Sequence, residues 1–195
     1  KVSAFGLNYA DVMARLGLYD DCPKLPAVLG YDVVGRIEKV GKDVQNLAEG
    51  DRVLALTRFG GYAEYAVADA RVVSKIGDDV NIADGTALAT QLSTAYYAAY
   101  EAVNLFEGDV VLVHAAAGGV GNGIVQLCKL KGCKVIATAG SDSKIEQLKK
   151  MGVDYPINYK NENYVERIKE LGLHKKVDVV FDSIAGDNIG KGSKM

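Results

Sequence analysis

The chain has 195 residues, 49% of them hydrophobic and 25% charged, which is the composition of a folded globular protein and not of a disordered or fibrous one. Its 23 basic and 25 acidic residues leave a net charge of −2, which removes the electrostatic case for a dedicated nucleic-acid binder or a polybasic membrane binder. No stretch of 18 apolar residues occurs, so an integral membrane helix is excluded.

Three cysteines, Cys22, Cys128 and Cys133, are odd in number and form no paired framework, which favours a reducing compartment and a cytoplasmic protein. Two histidines in all make a His-rich metal site impossible. The first residues show neither a targeting pattern nor an initiating Met, so a start trimmed from a longer protein is expected.

In chain order, a helical stretch is predicted near Tyr9–Leu16, followed by short β-like runs at Val33–Val40, Arg52–Leu56 and Tyr62–Val67, separated by Gly and Asp turns. Together these runs suggest a small, mostly antiparallel β domain. From about Asp84 to Val103, Leu88, Leu92, Ala95, Ala99 and Val103 recur at helical spacing. Strands and helices then alternate. Asp109–His114 reads as a buried strand, Gly121–Lys131 as a helix, and Lys134–Thr138 as a second strand. A second helix, Ser143–Met151, is opened by a Ser143/Glu146 capping-box spelling and closed by Gly152. Tyr155–Asn158, Glu162–Leu171 and Val177–Asp182 read as strand, helix and strand, which completes the pattern of a parallel, doubly wound sheet. Residues 1–104 carry 10 basic against 14 acidic side chains, and residues 105–195 carry 13 against 11. An anionic cofactor is therefore expected in the second half.

The strand Val110–Val113 runs through His114 into Ala115-Ala116-Ala117-Gly118-Gly119-Val120-Gly121 and then a helix. A dinucleotide turn needs small residues at the reversal, bare backbone where pyrophosphate approaches, and a small residue where helix meets strand. Gly118 and Gly121 match the second and third glycines, and Ala116 stands where the first would be; the plainer alternative is that the glycines only allow tight packing. About 20 residues on, the place of the carboxylate that binds an NAD ribose is taken by Ala139, while Ser141 and Lys144 could bind a 2′-phosphate. NADPH is therefore expected over NADH. Two alternatives stand beside this reading: Lys144 as a solvated helix lysine, and Asp142 as a ribose ligand one register away.

Asn8-Tyr9-Ala10-Asp11, Gly17-Leu18-Tyr19, Gly30-Tyr31-Asp32-Val33-Val34-Gly35, Gly50-Asp51-Arg52-Val53, the Ala115–Gly121 turn and Ile157-Asn158-Tyr159 resemble the quinone oxidoreductase branch of the medium-chain dehydrogenase/reductase superfamily. The resemblance is greatest to zeta-crystallin-like proteins and homologues of the synaptic-vesicle membrane protein. It implies a GroES-like β-rich catalytic domain (1–90, N-terminal strands missing) followed by a Rossmann domain (91–195, last strands missing), with NADPH between them. It also implies a homodimer when full length. Zinc-dependent relatives carry Cys near Asn8 and His where Tyr31 stands, so no metal is expected. The substrate implied is a quinone or enone, already electrophilic enough to accept hydride.

By motif position, Asn8 resembles an Asn near nicotinamide and substrate, and Tyr19 a tyrosine proposed as proton donor or substrate orienter. Thr94 resembles a threonine facing the nicotinamide, and Tyr159 a residue lying against the 2′-phosphate. The plainer alternatives are a turn Asn, half-buried packing, a helix hydroxyl bonded to its own backbone, and strand-edge packing. His114 is expected to be a satisfied structural histidine. Two rival functions remain open: an enoyl thioester reductase, and a non-catalytic protein that retains NADPH binding.

Overall fold

The computed structural model describes residues 1–186, 188 and 190. It divides into two compact units, Lys1–Ser93 and Thr94–Met195. Among the described residues, no helix is long and apolar enough to cross a membrane.

The first unit is built on a four-stranded antiparallel sheet in the order β1 (Val2–Phe5), β2 (Asp32–Arg36), β3 (Arg52–Leu56), β4 (Val73–Lys75). β2 is central, and Asp32, Val33, Val34 and Gly35 are all buried. β3 alternates, with Val53 and Ala55 buried and paired to Gly35 and Val33, as expected of a strand packed on one face. Helix α1 (Tyr9–Arg15) lies between β1 and β2 in sequence.

Two expected strands differ. The Val33–Val40 run stops as a strand at Arg36, although Ile37 still exchanges bonds with the β3 side through Asp51 O (3.0 Å) and Gly50 N (2.8 Å). Tyr62–Val67 is not a strand. The N–H groups of Gly60, Gly61 and Tyr62 are taken by the carbonyls of Val28, Gly30 and Leu29, which turns the chain, and Glu64 O reaches the sheet, accepting from Val2 N at 2.8 Å. Val73–Lys75 takes the place beside β3 instead.

The single helix expected over 84–103 is α2 (Ile82–Leu88), α3 (Thr90–Tyr96) and a π-helical turn at Tyr97–Glu101. α2 starts two residues early because the Asn81 side chain caps Ala83 N at 2.8 Å. The break falls at Ala89 (ψ −95°), where the next N–H, that of Thr90, donates to the Asp32 side chain at 3.1 Å.

The second unit is a parallel sheet in the order β7-β6-β5-β8: β5 (Val110–Val113), β6 (Lys134–Ala139), β7 (Tyr155–Asn158) and β8 (Val179–Phe181). Its helices are α4 (Gly119–Leu130), α5 (Asp142–Lys150) and α6 (Tyr164–Glu170). The chain winds outward from β5 to β7 and returns to the other side of β5. That places a topological switch at the carboxyl end of β5, where open α/β sheets bind ligands. Leu112 and Ile136 on the central strands pack with Ile157, Tyr164, Ile168 and Leu173 into one apolar cluster. Helix α6 starts at Tyr164 because Asn163 caps it, accepting from Val165 N at 3.0 Å. An antiparallel GroES-like unit followed by a Rossmann unit is the fold expected from the sequence.

Leu112 is fully buried at the centre of this cluster. Leu112→Ala is expected to cost about 2–5 kcal/mol, read as a lowered midpoint in urea unfolding followed by circular dichroism.

Candidate functional site

At the end of β5, His114 N still donates to Phe181 O at 2.9 Å, and the chain reverses at Ala115, which takes a left-handed φ of 49°. The reversal thus falls one residue before Ala116, the expected stand-in for a first glycine. Ala116 N bonds Thr138 O (3.0 Å), Gly118 N bonds Ala115 O (2.9 Å), and α4 begins at Gly119, two residues earlier than expected. A Cβ on Gly121 would strike the Ala115 carbonyl oxygen and lie 2.8 Å from Ala116 Cα. Only glycine lets the helix close on the strand end here. The N-cap is Gly118, which offers no side chain, so the first-turn N–H groups of Gly119, Val120 and Gly121 have neither an intrahelical acceptor nor a side-chain cap. With the helix dipole, they form a seat for an anion.

The second corner is the carboxyl end of β6. Ala139 closes the strand and is buried, so no carboxylate occupies that position. The N-cap of α5 is Ser141, not Ser143; its Oγ accepts from Lys144 N at 3.4 Å and lies 3.1 Å from Ser143 Oγ. Ser141 has the extended backbone of a capping residue (φ −159°), whereas Ser143 is already within the first turn. Lys144 is exposed on that turn. The Tyr159 phenol lies over Gly140, its hydroxyl 2.6 Å from where a Cβ there would stand. Ser141, Lys144 and Tyr159 therefore gather at one corner. Asp142 does not join them: its Oδ1 accepts from Asn158 Nδ2 (2.7 Å) and Asn161 Nδ2 (3.2 Å), which ties it to the end of β7.

Beside this corner lies a cavity of about 550 Å³ lined by His114, Thr138, Tyr159, Lys160, Glu162 and Tyr164 among others. His114 is buried, its Nδ1 sits 2.9 Å from Thr138 Oγ1, and its ring meets Tyr164 edge-on at 5.0 Å. It is only half satisfied, because Nε2 is buried with no hydrogen-bond partner among the described residues. Burial lowers its pKa, against a weaker opposing pull from Asp182.

Asn8 and Tyr19 belong to the first unit. Asn8 precedes α1 and is buried; its N–H donates to Asp11 Oδ2 (3.0 Å) and its Nδ2 to Asp32 Oδ2 (3.2 Å). Tyr19, half-buried, meets the Tyr31 ring edge-on at 5.9 Å. Burial, reinforced by the adjacent Tyr19, raises the Tyr31 pKa and keeps that phenol protonated. No hydrogen bond joins Asn8 to Tyr19 among the described residues. Thr94 is exposed on α3. The buried carboxylates Asp11 and Asp32 were assigned no role from the sequence. The Asn8/Asp11 spacing, three apart at a helix start, could have revealed the first; Asp32 has no local signal.

A catalytic zinc takes Cys, His and carboxylate donors held together. Both histidines of the chain lie in the second unit, Cys22 is the one cysteine of the first, and among the described residues no three His, Cys, Asp or Glu side chains converge. Among the described residues, the donors do not fit zinc. Cys128 and Cys133 are free and buried, and burial pushes the Cys128 thiol up to about 12.

Residues 1–78 match the family described as Alcohol dehydrogenase GroES-like domain, and residues 119–194 match the one described as Zinc-binding dehydrogenase. The chain is 40% identical over 193 residues to the human Synaptic vesicle membrane protein VAT-1 homolog, covering 98% of this chain and 49% of that protein. The Escherichia coli quinone oxidoreductase structure, complexed with NADPH, superposes with a TM-score of 0.91 at 34% identity, over 97% of this chain and 58% of that one. The CurK enoyl reductase structure gives 0.88 at 30% identity, over 97% and 59%. The chain thus spans about half the length of the curated VAT-1 relative.

An antiparallel GroES-like unit followed by a Rossmann unit with a glycine turn is the architecture of a medium-chain dehydrogenase/reductase. The chain belongs to that superfamily, in its quinone oxidoreductase branch.

His114 carries a testable consequence. Its folded pKa lies below its unfolded one, so its neutral form stabilises the fold above the ordinary histidine value, and that stability is lost as pH falls through it. Between pH 7 and 5, the melting temperature of the parent is expected to fall more steeply than that of His114→Gln; parallel profiles would contradict this.

Proposed function

We propose that the protein is a zinc-independent, NADPH-dependent reductase acting on a quinone or an α,β-unsaturated carbonyl. NADPH, when bound, supplies the hydride. The first-turn N–H groups of Gly119, Val120 and Gly121, with the bare backbone of Gly118, hold the pyrophosphate. Ser141, Lys144 and Tyr159 hold the 2′-phosphate, and the cavity beside Tyr159 takes the adenosine end. Thr94 faces the nicotinamide. Asn8 donates an amide N–H to the acceptor oxygen as negative charge grows on it. Tyr19 then gives its proton to that oxygen, which hydride transfer leaves as an enolate or hydroquinone anion, with Tyr31 beside it held in the phenol form.

The observation that carries this reading is the glycine-bounded, uncapped start of α4 beside a β6 end that has Ala139 where a ribose-binding carboxylate would stand and Ser141, Lys144 and Tyr159 around it. A 2′-phosphate meets two hydroxyl donors and a cation there, while the Asp142 carboxylate is turned to the amides of Asn158 and Asn161. A second reading, reduction of an enoyl thioester, is favoured by the likeness to the CurK enoyl reductase. The three free thiols accord with a reducing, cytoplasmic compartment, and the full-length protein is expected to pair as a homodimer.

Fluorescence titration of the full-length protein with NADPH and with NADH tests the cofactor. Lys144→Ala is expected to weaken NADPH about tenfold, the scale of one charge-assisted hydrogen bond, and to leave NADH nearly unchanged. Equal weakening of both, or none, would remove Lys144 from the phosphate site. Turnover of 1,4-naphthoquinone, trans-2-hexenal and an enoyl thioester separates the two substrate readings.

A further inference from the structure

Asp32 is 1% exposed, and its carboxylate gathers N–H groups from three separate parts of the first unit. Gly6 N donates to Oδ1 at 2.8 Å, Asn8 Nδ2 to Oδ2 at 3.2 Å, and Thr90 N to Oδ2 at 3.1 Å. A buried carboxylate is tolerated only when it is bonded in this way. The crowding is complete on one side: a Cβ on Gly6 would strike Oδ1. A second buried carboxylate, Asp11, receives the main-chain N–H groups of Asn8 and Gly30, both at 3.0 Å, and its own N–H donates to Asn8 O at 3.0 Å. Asn8 is therefore held at its backbone by Asp11 and at its side chain by Asp32.

An ionised carboxylate is an acceptor only, so it can face the NH₂ end of an amide and not the oxygen end. Asp32 thereby decides the flip state of Asn8. One Nδ2–H points inward to Asp32, and the second is left for another acceptor. Without this contact the amide could turn over and present its oxygen to the substrate oxygen, which repels instead of stabilising.

We propose that Asp32 is a positioning residue: by fixing the Asn8 amide with Nδ2 inward, it presents the second Nδ2–H to the oxygen of the hydride acceptor. This rests on the reading that Asn8 meets the acceptor, and the experiment separates the two. In the full-length protein, with NADPH and 1,4-naphthoquinone, Asp32→Asn is expected to lower kcat about 10- to 100-fold, the range for a misplaced or lost oxyanion donor, with the Kd for NADPH unchanged. The same substitution in an Asn8→Ala background is expected to lower kcat no further. Equal losses in both backgrounds would make Asp32 merely structural and overturn the proposal, as would no loss in the parent while Asn8→Ala is impaired. An Asn8→Ala variant as active as the parent would overturn the reading of Asn8 and the proposal with it. The parent alone gives a readout independent of folding in the variants and of turnover. One of the two Asn8 side-chain N–H protons is expected to be downfield and slow to exchange in its NMR spectrum; two protons exchanging like those of a free amide would overturn the proposal.

Discussion

The second unit depends on one close approach, that of Gly121 to the backbone of Ala115 and Ala116. Any side chain at 121 would lift the start of α4 away from the end of β5 and take its first-turn N–H groups with it. Because the approach is allowed, four apolar residues of β5 can be buried at the centre of the sheet and the chain can still turn straight into a helix above them. The turn is stitched to its neighbours by Ala116 N on Thr138 O and by His114 N on Phe181 O, so β6 and β8 fix the anion seat from both sides. The corner at the start of α5 follows from the same geometry. β6 ends level with the turn, and what comes next in sequence, Gly140 and Ser141, falls beside it by the parallel register of β5 and β6.

The first unit works by a different means. Its functional candidates are organised by buried carboxylates, not by open backbone dipoles. Asp32 and Asp11 together draw in N–H groups from Gly6, Asn8, Gly30 and Thr90, so the loop before α1, the start of β2 and the start of α3 share one polar centre. A network of this kind is costly to leave half satisfied and specific when complete. Leaving any one of these donors without its carboxylate would strand a buried charge or a buried N–H.

These two modes of construction explain what could be read from the sequence. The Rossmann strands and helices were legible because each carries its own signal: Val110–Val113 is an unbroken apolar run, and Gly152 and Gly172 stop the helices before them. The glycine turn was legible for the same reason. The choice between Ser141 and Ser143 as the cap was not, since both are serines at a helix start and only the extended backbone at 141 separates them. In the first unit the decisive contacts join distant residues. The break between α2 and α3 is made by a carboxylate 58 residues earlier, and the Asn8 amide is fixed by a residue 24 positions later. Tyr62–Val67 has the alternation of a strand, but the N–H groups just before it are drawn to residues 28–30, so the strand beside β3 is made further along.

We propose that an anionic dinucleotide rests on the start of α4 and reaches the start of α5. Amide hydrogen exchange of the full-length protein, with and without saturating NADPH, tests it most directly. Marked slowing at Gly119, Val120 and Gly121, together with residues 140–144, is the expected result. Tight NADPH binding that leaves these amides exchanging as they do in the free protein would contradict it.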